Sequence, residues 1–63
     1  MSENVKSAVR TLRMLELFAN TKNTLTLKHI TNNLDIPKSS AFMLLNTLLR
    51  EHYVEEVESG QFA

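Results

Sequence analysis

The chain contains no cysteine and no tryptophan, one glycine and one proline, and its aromatic residues are Tyr53 and three phenylalanines. The lack of cysteine excludes a disulfide framework, and with His29 and His52 far apart in sequence there is no zinc constellation either. No apolar run approaches the roughly 18 residues that a membrane span requires. The opening "MSENVKSAVR" lacks the basic-then-apolar layout of a signal peptide. A cytoplasmic location with no membrane partner is therefore expected. With a single glycine there is no glycine-rich phosphate loop, and neither a nucleophile and base nor a carboxylate pair set for a cleft can be found. No enzyme, no cofactor and no metal are expected.

What remains is small and mixed in charge. At 63 residues the chain amounts to one domain, of a size that buries only about 60% of the unfolded surface. Its net charge of zero hides an asymmetry. Residues 1–50 carry seven basic side chains (Lys6, Arg10, Arg13, Lys22, Lys28, Lys38, Arg50) against Glu3, Glu16 and Asp35, a balance of plus four. The last thirteen residues hold Glu51, Glu55, Glu56 and Glu58 and no basic residue. Any surface for a polyanion must come from the first fifty.

Periodicity predicts three helices and a short hairpin. In "SAVRTLRMLELFAN", Ala8, Leu12, Leu15 and Ala19 recur at helical spacing, with Ser7 as N-cap. In "TLTLKHITNNL" a very short strand around Leu25 leads to Thr26 as N-cap of a two-turn helix with Leu27, Ile30 and Leu34 inward. The run "KSSAFMLLNTLLREH" keeps Ala41, Leu44, Leu45 and Leu48 on one stripe. "YVEEV" reads as a strand, "ESG" as a turn and "QFA" as a returning strand.

The second and third helices meet across "DI", too short a connection for an antiparallel hairpin of long helices. Pro37 cannot continue a preceding helix but suits the start of a new one. Two short helices at a tight corner form the helix-turn-helix pattern. A three-helix bundle without a ligand is the simpler reading, but it accounts for neither the strand before the second helix nor the hairpin after the third.

The segments "SAVRTLRMLELFAN", "LTLKHITNNLDIPKSSAFMLLNTLLREHYVEE" and "SGQFA" together resemble the N-terminal DNA-binding domain of the IclR family of bacterial transcription regulators. The most specific part is "IPKSSAFMLLNTLLREHYVE". The resemblance implies a mainly α, winged helix-turn-helix fold of three helices and a β-hairpin wing, spanning residues 1–63. It implies double-stranded DNA as partner, transcription regulation, with repression the expected sense, and a homo-oligomer, expected as a dimer. It also implies a larger effector-binding domain absent from this chain, through which alone a small molecule would act. Three positions depart from the family's pattern. Phe42 and Met43 stand where a polar pair with an arginine is usual, Asp35 stands at a corner where glycine is common and tolerates the left-handed conformation better than most residues, and the wing is acidic.

The residues give their own reading of the site. A helix N-terminus offers unpaired amides and a positive dipole end, so Lys38, Ser39 and Ser40 form a seat for a phosphate oxygen. Opposite the stripe of Ala41, Leu45 and Leu48 lie Ser39, Met43, Asn46 and Arg50, flanked by Ser40, Phe42 and Thr47; these are the residues expected in a major groove. Asn46 suits an adenine edge, and Phe42 and Met43 suit a thymine methyl. Lys28 and Lys22 are expected to add phosphate contacts. The first helix has a wide apolar girth, of which Met14 and Phe18 are expected to serve the core; Val9, Arg13 and Leu17 are the expected dimer face, with Leu17 taken to lie off the core. The alternative is a winged-helix protein-interaction module that docks through Phe42, Met43 and Leu49 without DNA, a reading the acidic hairpin favours.

Overall fold

The computed structural model describes residues 5–63, so the first four residues of the expected domain lie outside the described residues. Three helices precede a hairpin: α1 (Lys6–Ala19), α2 (Leu27–Leu34), α3 (Lys38–Arg50), β1 (Glu56–Glu58) and β2 (Gln61–Phe62). The architecture is mainly helical and is that of a winged helix-turn-helix. Among the described residues no helix is long and apolar enough to cross a membrane.

The start of α2 is set by local chemistry. Thr26 caps it by accepting a hydrogen bond from the His29 amide at 3.2 Å, and the His29 ring nitrogen Nδ1 accepts from the Thr26 amide at 3.3 Å. This reciprocal arrangement satisfies two amides that the helix itself cannot. Just before it, Leu25 exchanges both backbone hydrogen bonds with Phe62 at 2.8 Å, so the short strand predicted there is an isolated bridge onto β2. The Thr24 hydroxyl donates to Gln61 Oε1 at 2.8 Å and ties the same junction. Glu55 and Ala63 exchange a further pair at 3.0 Å, extending the antiparallel ladder of β1 and β2 beyond the strands themselves.

Met14, Leu25, Ile30, Ala41, Leu45, Leu48 and Val54 form the core, with Leu15, Leu17, Phe18, Leu27 and Phe62 among the half-buried residues packed on it. Every element except β1 thus contributes a side chain. The inward sets expected of α2 and α3 are the observed ones. That of α1 holds only at Leu15: Met14 is fully buried, whereas Ala8, Leu12 and Ala19 are exposed, Leu12 at 61%. Both faces of α1 are apolar, and the observed one buries methionine, leucine and phenylalanine in place of a leucine and two alanines. At roughly 25 cal/mol per Å² of apolar surface, the larger side chains decide the orientation. The assignment of Leu17 to a surface off the core is corrected by the same packing.

Two smaller expectations also change. Val5, not Ser7, is the N-cap of α1, and no side chain caps it; Ser7 lies inside the helix, where its carbonyl accepts the Thr11 hydroxyl at 2.8 Å. The strand expected from Tyr53 begins only at Glu56. The intervening residues complete the end of α3, where the Tyr53 amide donates to Leu48 and the His52 amide to Leu49, with His52 left-handed at φ 66°. That pair of bonds is a Schellman closure.

Candidate nucleic-acid interface

The corner between α2 and α3 is made by three residues. Asp35 ends α2 in the left-handed conformation (φ 54°, ψ 51°), with its amide on the Thr31 carbonyl. Pro37 then stands as N-cap of α3 in extended geometry, and its carbonyl accepts the Ala41 amide at 2.9 Å. Among the described residues no side chain caps α3. The amides of Lys38, Ser39 and Ser40 therefore begin the helix without the side-chain acceptor that α2 has, leaving the positive end of the dipole for an external anion.

Burying Ala41, Leu45 and Leu48 turns the opposite side of α3 outward. Lys38, Ser39, Phe42, Met43, Asn46, Thr47 and Arg50 are all exposed, Phe42 at 58% and Met43 at 68%, while Ser40 is half-buried. Thr47 donates its hydroxyl to the Met43 carbonyl at 3.1 Å, which leaves its oxygen free to accept and its methyl free to pack. Lys38 and Arg50 stand at opposite ends of the helix, about 18 Å apart along its axis at 1.5 Å per residue. They address different stretches of any ligand.

Clefts border this face on both sides. Lys28 and Lys38 line one of about 390 Å³ between the N-termini of α2 and α3, with Thr26, Leu27 and Thr31. Two of the expected phosphate-contacting lysines thus share one opening. Lys22 is exposed but does not line it. An apolar groove of about 230 Å³ runs between α3 and the hairpin, bordered by Phe42, Asn46, Leu49 and Phe62 among others. On the other side Met43 and Ser40 border a cleft against Ser7 and Arg10 of α1. Phe42 and Met43 therefore diverge, and the three side chains expected to form a docking strip do not share a groove. Among the described residues no cluster of acidic, histidine or cysteine side chains could hold a metal ion.

A family model described as the IclR helix-turn-helix domain matches residues 7–58. The chain belongs to the IclR helix-turn-helix family. It is a DNA-binding domain of transcription regulation, and its partner is double-stranded DNA. Comparison with curated proteins and with solved structures finds no match.

Within this IclR domain the hairpin brings Glu55, Glu56 and Glu58 to the surface. Glu56 is turned to a local task, accepting the Gly60 amide at 2.9 Å across the turn, where Gly60 takes φ 77°. The residues expected to form a dimer face divide: Arg13 is exposed, Val9 is half-buried, and Leu17 packs on the core. The exposed apolar strip of α1 is instead Val5, Ala8, Leu12 and Ala19. In the sequence Arg10 stands out only as charge, and nothing singles out His29. The spacing of Ser7, Arg10 and Met14 on one helical face, with Met14 inside, is the available signal for Arg10.

Proposed function

We propose that this chain reads operator DNA sequence-selectively with α3 in the major groove, as a homodimer, and that its output is repression. The observation that supports this best is the pairing of an uncapped α3 N-terminus with Lys28 and Lys38 in one cleft beside an exposed, mixed polar and apolar helix face. An α-helix 10–12 Å across fits a major groove about 12 Å wide. In that pose Lys28, Lys38 and Arg50 meet phosphates, and Ser39 and Ser40 meet phosphate or base. Asn46 and Thr47 face base edges, and Phe42 and Met43 press on thymine methyls. The missing arginine at positions 42 and 43 removes the donor best suited to guanine, so A·T-rich half-sites are preferred.

The dimer places two such helices on half-sites 34–36 Å apart. Its contact is α1, with Val9, Arg13 and the exposed Leu12 strip. Bound protein excludes polymerase from the same DNA, which makes repression the direct consequence of occupancy. In this reading the 63 residues are the DNA-binding unit of a longer cytoplasmic regulator, and a small-molecule effector acts through a separate domain. The acidic hairpin supports a second reading, a protein-interaction module without DNA.

The test is a fluorescence-anisotropy titration with duplexes selected from a randomised pool, at several salt concentrations. Binding should weaken steeply with salt, because counterions released from phosphate drive it. A folded protein that binds no duplex at about 50 mM salt would favour the second reading.

A further inference from the structure

We propose that Arg10 of α1 is a DNA-contacting residue, seating a phosphate of the strand opposite the one held by Lys28 and Lys38. The inference rests on α3 entering the major groove. With the helical turn of about 100° per residue, Lys38, Phe42 and Asn46 lie to one side of the outward midline of α3, and Ser40, Met43 and Thr47 to the other. The clefts follow this division. Lys28 and Lys38 line the first side, and Arg10 lines the second, with Ser7, Ser40, Met43 and Leu44.

A helix that fills the groove has one phosphate backbone along each flank. On the α2 flank two lysines supply the charge. On the α1 flank the cleft beside α3 has Arg10 as its basic residue, and without it Ser40 and Leu44 would face phosphate with hydroxyl and hydrocarbon alone. Arg10 is half-buried and lines the cleft between α1 and α3, so ordering it on DNA costs less side-chain entropy than ordering a fully exposed arginine. Its planar guanidinium fork matches two phosphate oxygens, whereas a lysine would offer a point charge. The Ser7 and Ser40 hydroxyls border the same opening and are available as further donors. Two cationic flanks would clamp the groove from both sides and fix the depth and tilt of α3, on which base reading by Met43 and Asn46 depends.

The experiment pairs protein variants with DNA carrying a neutral methylphosphonate at single backbone positions on one strand or the other, using the tightest duplex recovered by selection. Arg10→Ala should weaken binding about tenfold and reduce the salt slope by about one. Its loss should be absorbed by neutralising a phosphate on one strand, and that of Lys38→Ala by neutralising one on the other. Arg10→Lys should recover part of the affinity. Circular dichroism of Arg10→Gln and Arg10→Lys, which keep much of the stem, guards against a folding defect. Unchanged affinity and slope in all three Arg10 variants, while Lys38→Ala still weakens binding, would overturn the Arg10 assignment and leave the α3 reading standing. Coupling of Arg10 and Lys38 to the same strand would also overturn it. Failure of the wild-type chain to bind any duplex is a different result, and it defeats the α3 reading itself.

Discussion

Met43 and Lys38 lie just over one turn apart on α3 and should answer differently to the same substitution. Lys38 shares its cleft with Lys28 at the uncapped end of the helix, so Lys38→Ala should weaken binding by a similar factor on every sequence and lower the salt slope by about one. Met43 is 68% exposed and has no charge. Met43→Ala should cost about 1 kcal/mol where a thymine lies beneath it and leave the salt slope alone. Replacing thymine by uracil, which removes only the methyl, should erase that difference. Equal losses on both duplexes would assign Met43 to packing rather than reading. A stability prediction belongs to the same scale. His52 is left-handed at the Schellman closure of α3, a conformation that costs a non-glycine residue on the order of 1 kcal/mol. His52→Gly should therefore raise the urea midpoint, with an unchanged slope.

Residues whose role is set by local chemistry were the most legible. Thr26 as a cap and Asp35 as a left-handed corner follow from the hydrogen-bonding and steric habits of those side chains, and both occur as expected. His29 was not legible, because a histidine completing a capping box replaces the usual glutamate or glutamine at that position. His52 was not either, since its conformation is imposed by the amides of His52 and Tyr53 closing the helix rather than by the histidine.

At the scale of elements, α1 is where periodicity misled. A helix apolar on two faces has two candidate inward stripes, and spacing alone cannot choose between them. Side-chain volume chose: Met14, Leu17 and Phe18 face the core, and Ala8, Leu12 and Ala19 face away. α2 and α3 posed no such ambiguity, because their outward faces are polar or, in α3, broken by serine, asparagine and arginine. That choice changes which variant probes a partner surface. Leu12→Asp should leave a folded chain and convert a dimer to a monomer in sedimentation, and should weaken binding to paired half-sites much more than binding to a single one. Leu17→Asp should instead lower stability by several kcal/mol, a large share of the roughly 3–9 kcal/mol expected for a chain of this length. A Leu12→Asp chain that remains dimeric would move the interface elsewhere, while a folded Leu17→Asp chain would contradict the packing of α1.

For the whole molecule, the decisive pattern is the separation of charge along the chain. The basic residues fall in the helices and their approaches, and the last thirteen residues are acidic. This separation was visible without coordinates, as was the order of the elements. The convergence of Arg10, Lys28 and Lys38 on clefts beside α3 was not, because it depends on how α1 and α2 pack across that helix. The hairpin carries like charge to DNA and should stand away from the phosphates, or approach only with Glu56 held in its own turn. The most direct test of α3 as the DNA-reading element is an amide chemical-shift map of the isotopically labelled chain titrated with a selected duplex. The largest changes should run along Lys38–Arg50 and at Arg10 and Lys28, with small changes at Glu58 and Leu12. Changes concentrated on Leu49, Phe62 and the hairpin, with Ser39, Met43 and Asn46 unmoved, would contradict it.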